Sequence, residues 1–401
     1  MKILHLVHDW MFDNATIAFF LNLEKSCGLE NRFVVLRRTD DKVLYKIASQ
    51  YKVDVVQMDS AEYEQLRSEK RDAIWVHGLT DAKAQFVLSL SGRPHIVWGT
   101  WGWDYVRFAG RWLYGMRTTR LWLKGISRRS AMTSILTYLI SKTPWVRFLP
   151  DLHCRFFRTV DFYSTVVPEE EALLSHILRG KAKRISFHYY SKKDLDISNR
   201  QVDLSAKRIW IGNSATLSNN HLDVLPILEK NKGFELHLPL AYSTTASDKI
   251  VGEAVEKYGT LHFGGQFFAH KEFLPFDDYI KLMERCALFV FAHRRQQSAG
   301  NATLAFGMGG CVVMDERNPI FHYVRRNGIC VYSLSDLKRH GVEQLIEDFK
   351  PNQLENMRKA KELWNYERMM TDIKHSINFL REQIGGGNSE HRSLFSTANH
   401  R

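Results

Sequence analysis

Short apolar runs alternate with helix-length segments along most of this chain, and this alternation constrains the fold more than any other feature. In the first half the apolar runs lie at residues 3–7, 33–36, 53–58, 73–76, 95–98 and 160–167. In the second half they lie at residues 208–211, 234–238, 259–262, 288–292 and 311–314. Strands that alternate with helices are typical of parallel sheets with crossover helices. The pattern therefore predicts an α/β protein with two Rossmann-like, doubly wound sheets.

A polar run at residues 190–203 separates the two halves and is the predicted domain boundary. A chain of 401 residues is long enough for two domains, each with its own core. We expect an N-terminal domain at residues 1–195, a C-terminal domain with its helices at 205–384, and a disordered tail at 385–401. Ligands of doubly wound sheets bind beyond the carboxyl ends of the strands, so we expect a cleft between the domains to hold the site.

Two segments of the second half, residues 209–221 and 292–310, leave an apolar strand, break at small polar residues and resume as a helix. The polar residues are Gly212, Asn213 and Ser214 at the first break, and Arg294, Arg295, Gln297, Gly300 and Asn301 at the second. Such breaks expose backbone N–H groups at a helix N-terminus, where phosphate binds readily, and Asn or Ser there can cap the helix. The two breaks together predict a site for a nucleotide diphosphate. The alternative is that the first break is an ordinary loop between strand and helix and that the two arginines of the second are a solvated charge pair.

A net charge of +12 indicates an anionic partner, and much of the excess lies in one stretch. Residues 105–150 hold nine Lys or Arg, eight aromatic residues and no Asp or Glu. This basic-aromatic insertion is interpreted first as a surface that docks on an anionic membrane. The alternatives are a solvated basic face over core aromatics and a nucleic-acid surface, which is the weakest because no nucleic-acid module is recognisable.

The remaining composition is that of a globular protein in a reducing compartment. Five scattered cysteines without Cys-x-x-Cys spacing predict buried thiols, and not disulfides or a zinc site. No apolar run approaches the roughly 18 residues of a membrane span. The start of the chain is interpreted as a first strand and not a signal peptide. We therefore expect a cytoplasmic protein that can bind a membrane peripherally.

Several motifs of this chain resemble glycosyltransferase family 56, most strongly between about residues 208 and 325. They include Ile211-Gly-Asn-Ser214, Ser218-Asn-Asn-His221, Leu238-Pro-Leu-Ala-Tyr242, Arg295-Gln-Gln297, Gly300-Asn-Ala-Thr-Leu304 and Arg317-Asn-Pro319. The resemblance implies a GT-B fold, inversion at the anomeric carbon, and no metal or cofactor. It also implies transfer of N-acetylfucosamine from a dTDP donor to an undecaprenyl-linked saccharide. Tyr242 and Asn318 join the donor-binding candidates, Tyr242 beside the thymine or the sugar, although a core tyrosine is equally consistent.

An inverting transfer needs a base that takes the proton of the acceptor hydroxyl. Asp9, which follows the first strand, is the first candidate, and Asp104 in the Trp101-Gly-Trp-Asp104 loop is the second. The acceptor-binding candidates are His8, His77, Trp101 and Trp103. The histidines lie at predicted strand ends and are further candidates for the base, and the tryptophans offer aromatic platforms for a sugar. Each of these residues taken alone could instead be structural.

The sequence thus predicts a peripheral glycosyltransferase that uses a nucleotide sugar and a lipid-linked acceptor at the cytoplasmic face of the inner membrane, without nucleic acid. Asp194-Leu-Asp196 matches the Asp-x-Asp of metal-dependent enzymes, but it lies in the polar linker with no strand before it. The alternatives are a fucosyltransferase or another GT-B enzyme of capsule or O-antigen assembly, and a sugar-nucleotide epimerase or hydrolase. The last alternative is a basic binding protein without activity.

Overall fold

Two all-parallel sheets organise the protein in the computed structural model. The structure describes residues 1–8, 13–38, 51–125, 127–175, 177–178, 180, 182–189, 200–231, 233–241 and 246–394. The first sheet has the order β3-β2-β1-β4-β5-β6-β7, and the second has the order β10-β9-β8-β11-β12-β13. The strands are β1 Lys2–Val7, β2 Glu30–Arg37, β3 Asp54–Gln57, β4 Ala73–His77, β5 His95–Gly99, β6 Phe162–Ser164, β7 Lys183–Arg184, β8 Arg208–Ile211, β9 Glu235–Pro239, β10 Phe267–His270, β11 Leu288–Phe291, β12 Cys311–Met314 and β13 Tyr332–Ser333. Each order reverses beside its first strand, which confirms the two predicted Rossmann-like domains.

Helices connect the strands and cover both sheets. They are α1 Asp13–Cys27, α2 Ala61–Ser68, α3 Asp81–Leu88, α4 Met116–Gly125, α5 Arg128–Ser141, α6 Leu152–Phe157, α7 Glu171–Leu174, α8 His221–Leu228, α9 Ala246–Phe263, α10 Phe276–Glu284, α11 Ala299–Gly307, α12 Pro319–Arg326, α13 Leu334–Phe349, α14 Gln353–Leu363 and α15 Tyr366–Leu394. Strands β1, β4, β8, β11 and β12 are buried almost throughout, as expected when helices cover both faces of a parallel sheet. None of the described helices combines the length and the apolar character needed to cross a bilayer.

One predicted strand is wrong. Residues 259–262 belong to helix α9, and the strand follows at Phe267–His270. A Cβ on Gly259 would lie 2.2 Å from the ring of Phe267, so the glycine lets the helix pack directly on that strand. A short apolar run is ambiguous between a buried strand and a buried helix segment, which explains the error.

The C-terminal helix α15 returns to the first domain. Ile373, Ile377 and Leu380 are fully buried and join the core beside β1, while the Ser376 hydroxyl oxygen accepts a 2.9 Å hydrogen bond from the Ser186 amide. The helix continues to Leu394, into the segment from residue 385 that the sequence predicts to be disordered. Extending a formed helix adds one hydrogen bond per residue without a new nucleation cost. Residues 395–401 lie outside the described residues.

The basic-aromatic insertion forms helices α4 and α5 and reaches the second domain. The Asp223 carboxylate on α8 accepts hydrogen bonds from the backbone N–H of Arg117 at 2.9 Å and of Thr118 at 3.1 Å, and from the Thr118 hydroxyl at 2.6 Å. An acid at this position satisfies unpaired amides and complements the helix dipole. The N-terminus of α4 is therefore capped by a residue of the other domain, and the insertion bridges the two sheets.

Candidate active site

The carboxyl ends of the two sheets face each other across a contact between two loops. Gly102, in the loop after β5, has a φ of +78°. A Cβ there would lie 2.7 Å from the carbonyl oxygen of Gln296 and 3.4 Å from Nη1 of Arg295, in the loop after β11. Glycine is required at this point by both its backbone conformation and the close approach. Loops from both domains that carry predicted site residues therefore approach each other here.

The two polar breaks of the second domain lie side by side. Gln297 donates from Nε2 to Oδ1 of Asn213 at 3.2 Å and accepts at Oε1 from the Ser218 hydroxyl at 2.6 Å. The ring nitrogen Nε2 of His293 lies 3.2 Å from Oδ1 of Asn213 and 2.9 Å from Oδ1 of Asn219. The structure therefore joins segments that are some 80 residues apart in sequence into one wall.

The first break differs from the expected helix N-terminus. The amide of Gly212 donates to the Val290 carbonyl and that of Asn213 donates to Asn219 Oδ1, both at 2.9 Å. A 3-10 turn at Leu217–Asn219 intervenes before α8, whose N-cap is Asn220. The expectation that Asn213 and Ser214 cap the helix is therefore wrong. Ser214 instead accepts a 3.0 Å hydrogen bond from the Asn219 side chain, and this turn acts as a rigid support.

The second break presents an open helix N-terminus. Helix α11 starts at Ala299, directly after Ser298, whose φ is +60°. The buried Ser298 hydroxyl has no hydrogen-bond partner within the described part of the chain. Apart from its chain neighbours and the backbone of its own helix, no described residue has a heavy atom within 4 Å of a Cβ placed on Gly300, and Asn301 donates to the Tyr279 hydroxyl at 2.8 Å. The first amides of α11 and the Ser298 hydroxyl form a site suited to an anion.

The two arginines of this wall have different environments. Arg294 donates from Nη1 to the Tyr114 carbonyl, and its Nε lies 3.5 Å from Oδ2 of Asp315, so it holds the insertion against the second domain. Arg295 donates to the Gln296 carbonyl at 2.9 Å. Burial lowers the pKa of Arg295 to about 10, and the nearby Tyr105 and Asp104 oppose the shift. Arg295 therefore stays cationic at neutral pH beside the cleft.

The last donor-binding candidates are Asn318 and Tyr242. Asn318 caps α12 by accepting a 3.0 Å hydrogen bond from the Ile320 amide at Oδ1. Its Nδ2 is buried and has no partner among the residues that the structure describes. Asn318 thus retains one amide donor that no described group uses. Tyr242 lies outside the described residues.

On the opposite wall, Asp104 braces the loops around the cleft. Its Oδ2 accepts from the Leu79 amide and from the Trp98 indole, both at 3.0 Å, and its Oδ1 accepts from the Trp101 amide at 3.1 Å. Burial raises the pKa of Asp104 to about 6, although these hydrogen bonds favour the carboxylate. Asp9, the other candidate base, lies outside the described residues.

The acceptor-binding candidates separate into two layers. The ring of His8 meets those of Trp101 and Trp103 edge-on, with centroid distances of 5.8 and 6.0 Å. His77 is fully buried, and its Nε2 lies 3.0 Å from Nδ1 of His5. Burial lowers the pKa of His8 to about 4 and that of His77 well below its usual value. His8 and the two tryptophans therefore form one cluster, whereas His77 belongs to the sheet interior.

Comparison with known families identifies the class of enzyme. Residues 177–361 match the family model described as 4-alpha-L-fucosyltransferase, glycosyl transferase group 56. The chain is a glycosyltransferase. The predicted resemblance is confirmed over these residues, which contain both polar breaks, Arg295 and Asn318.

Solved structures show the fold of this glycosyltransferase. Sucrose-phosphate synthase from Thermosynechococcus elongatus is 10% identical, with a TM-score of 0.58 and coverage of 99% of this chain and 100% of that one. An alpha,alpha-trehalose-phosphate synthase (UDP-forming) from Burkholderia vietnamiensis is 10% identical, with a TM-score of 0.56 and coverage of 96% and 99%. These similarities confirm the predicted GT-B fold.

The glycosyltransferase also has buried ionisable residues that the sequence did not single out. Lys83 on α3 donates from Nζ to the carbonyls of His77 at 2.6 Å and Gly78 at 3.1 Å, and it lies 3.1 Å from Nε2 of His8. Burial lowers the pKa of Lys83 to about 7. A lysine on a short helix is ordinarily exposed, so the sequence carries no signal for this role.

Glu170 is a second such residue. The Tyr105 hydroxyl donates to its Oε1, and the Val167 amide donates to its Oε2 at 3.0 Å. Burial raises the pKa of Glu170 to about 7. In sequence nothing distinguishes it from Glu169 and Glu171, and only the fold places it behind Tyr105, near Arg295.

The described residues contain no group of three His, Cys, Asp or Glu side chains arranged to hold a metal ion. Asp194 and Asp196 lie outside them.

Proposed function

We propose that this enzyme moves a deoxy-amino hexose resembling N-acetylfucosamine from a dTDP donor to a polyprenyl-diphosphate-linked saccharide, with inversion and without a metal. The reaction would serve surface polysaccharide synthesis at the cytoplasmic face of the inner membrane. One observation carries the proposal: the open N-terminus of α11 lies beside Arg295 in a cleft wall within the family match. The C-terminal domain, residues 205–384, holds the donor, and the N-terminal domain, residues 1–195, presents the acceptor.

The donor wall stabilises the leaving group. Breaking the bond between the anomeric carbon and the phosphate oxygen leaves a nucleoside diphosphate that gains negative charge. The amides of the first turn of α11 and the Ser298 hydroxyl donate to its oxygens, and Arg295 neutralises the charge. Asn318 and Tyr242 contact the sugar or the nucleoside, and the turn at Gly212 keeps Gln297 in place.

The acceptor wall activates the incoming hydroxyl. Its oxygen attacks the anomeric carbon on the face opposite the diphosphate, and a base removes its proton. We assign the base to Asp9, which follows β1 and His8 in sequence. Three N–H donors engage Asp104, so it ranks second. The acceptor saccharide packs on the cluster of His8, Trp101 and Trp103. His77 lies in the sheet interior behind this cluster.

Nucleotide binding tests the donor wall without any acceptor. We expect dTDP to raise the unfolding temperature more than UDP or GDP, and Arg295→Met to weaken dTDP binding at least tenfold, or about 1.4 kcal/mol. Arg295→Lys should recover part of the affinity, and Arg325→Met, an exposed arginine of α12, should leave it unchanged. Equal binding by Arg295→Met and wild type would remove Arg295 from the site.

The description of the matched family favours one second candidate, a fucosyl donor. A panel of dTDP-, GDP- and UDP-linked sugars distinguishes the two, because each predicts a different donor. Consumption of donor without transfer to an acceptor would instead indicate an epimerase or hydrolase. Binding of lipid without binding of any nucleotide would indicate a basic binding protein.

A further inference from the structure

Helix α5 of the insertion carries an exposed apolar stripe. Met132, Ile135, Leu136 and Leu139 are between 42% and 71% exposed. Their spacing of three, one and three residues places them on one face of the helix. Single exposed apolar residues are common on protein surfaces, but four that are contiguous on one helix face mark an interaction surface.

Two aromatic residues follow this stripe in the chain. Trp145 is 71% exposed and Phe148 is 58% exposed, and their ring centroids lie 5.9 Å apart. The other tryptophans of the insertion are less exposed: Trp112 and Trp122 pack against each other at 5.4 Å. We call the exposed set the apolar ridge, which comprises Met132, Ile135, Leu136, Leu139, Trp145 and Phe148.

Exposed charged side chains of α4 and α5 and of the residue after α5 are all cationic. They are Arg117, Arg120, Lys124, Arg128, Arg129 and Lys142. Residues 105–150 contain no acidic residue that could neutralise them. Arg128 and Arg129 lie one helical turn before Met132, so cations adjoin the N-terminal end of the ridge.

This combination fits a lipid surface better than a second copy of the chain. At an anionic bilayer, apolar and aromatic side chains enter the boundary between headgroups and acyl chains, while Lys and Arg contact the lipid phosphates. In a symmetric dimer through the ridge, the two cationic rims would face each other, and like charges would oppose association.

The position of the insertion connects this surface with the cleft. The insertion follows Asp104 directly in sequence, and Asp223 and Arg294 fix its start to the donor domain. The ridge is therefore carried by a segment that begins at one wall of the cleft and is attached to the other.

We propose that the apolar ridge inserts into the headgroup region of an anionic bilayer, with the adjacent cations on the lipid phosphates. This proposal rests on the proposed function only for the reason why the enzyme needs a membrane. Its test requires no sugar donor or acceptor.

Flotation of the full chain with vesicles tests the ridge directly. We compare phosphatidylcholine vesicles with vesicles of phosphatidylcholine and phosphatidylglycerol, and expect binding to the mixed vesicles that weakens as salt is added. Met132→Gln with Leu136→Gln should reduce that binding at least tenfold. The matched control is Leu261→Gln with Leu354→Gln, two residues at least 70% exposed on other helices, which should bind like wild type.

A charge pair tests the rim. Arg128→Gln with Arg129→Gln should weaken binding about 30-fold, because each cation near an anionic surface contributes about 1 kcal/mol and tenfold corresponds to about 1.4 kcal/mol. Lys338→Gln with Arg339→Gln removes an exposed basic pair from α13 and should have little effect.

Three results would overturn the proposal. One is unchanged vesicle binding after the Met132 and Leu136 exchanges, and another is equal binding of wild type to neutral and anionic vesicles. The third is a dimer in sedimentation that the same exchanges dissociate, because the occupant would then be a second copy. Binding of dTDP by the variants separates the two proposals. If the variants bind dTDP normally and the vesicle results contradict the ridge, only the docking surface is refuted. If the protein docks on vesicles but transfers sugar from no donor, only the proposed function is refuted.

Discussion

Replacing Gly102 by Ala tests whether contact between the two domains sets the geometry of the cleft. Gly102 has a φ of +78°, and Gly264, at the end of α9, has a φ of +56°. A side chain at either position adopts a left-handed conformation that costs about 1–2 kcal/mol. Apart from its chain neighbours, no described residue has a heavy atom within 4 Å of a Cβ on Gly264, so Gly264→Ala reports this backbone cost alone.

Gly102→Ala adds a clash between the walls. Its Cβ would lie 2.7 Å from the Gln296 carbonyl oxygen, whereas ordinary contact begins at 3.4 Å. Relief of that clash requires the loops to separate by about 0.7 Å, the difference of the two distances. Displacement by about 1 Å in an active site can reduce the rate by roughly 10²-fold. We therefore expect Gly102→Ala to lower kcat/KM at least tenfold relative to Gly264→Ala.

Two measurements separate these effects. Urea unfolding should show a loss of about 1–2 kcal/mol for Gly264→Ala and at least as large a loss for Gly102→Ala, and release of dTDP from the donor during transfer should fall only for Gly102→Ala. If the two variants turn over equally, the loop contact does not set the cleft geometry and the reasoning is refuted.

Three further predictions concern other contacts of the cleft. Asp223→Ala removes the cap of α4, so it should lower the free energy of unfolding in urea by about 1–2 kcal/mol and speed proteolysis within residues 116–141. Unchanged proteolysis would contradict the bridging role of Asp223. Gln297→Leu removes the Gln297 hydrogen bonds between the two breaks and leaves the Ser218 hydroxyl without that acceptor, so dTDP affinity measured by calorimetry should fall about tenfold. Unchanged affinity would contradict this role of Gln297. The pKa of Glu170 is about 7 in the folded protein, against an ordinary value of 4.5, so the folded state favours its neutral form. As the pH rises from 5 to 9, wild type should therefore lose about 2–3 kcal/mol of stability relative to Glu170→Gln. A difference between these two proteins that is independent of pH would refute the burial of Glu170.

The alternating pattern predicted most of the fold because each strand of a covered parallel sheet is a short apolar run. It failed at residues 259–262, where Gly259 permits a helix to pack on Phe267, a contact that depends on tertiary structure. The polar breaks at Gly212 and Gly300 were also recognisable, because each is a local change in the sequence from apolar to small polar residues. Their different roles were not recognisable, because Asn219, in the 3-10 turn before α8, accepts the hydrogen bond of the Asn213 amide from six residues away.

Other parts of the site depend on distant contacts. Lys83 and Glu170 are buried because separate segments enclose them, and neither has a sequence pattern that predicts this. The insertion was recognisable by charge, but the sequence placed its aromatics at the membrane surface. Trp112 and Trp122 instead pack together inside the insertion, whereas Trp145 and Phe148 are exposed, as are four aliphatic side chains of α5.

The most direct test of the proposed function is a donor screen with polyprenyl-diphosphate-linked saccharide acceptors, in which NMR determines the anomeric configuration of the product. We predict transfer of a deoxy-amino hexose from its dTDP donor, with inverted configuration and undiminished rate in EDTA. Asp9→Asn should abolish this transfer while dTDP still binds. Retained configuration, dependence on a divalent cation, or transfer only from another nucleotide sugar would contradict the proposed function.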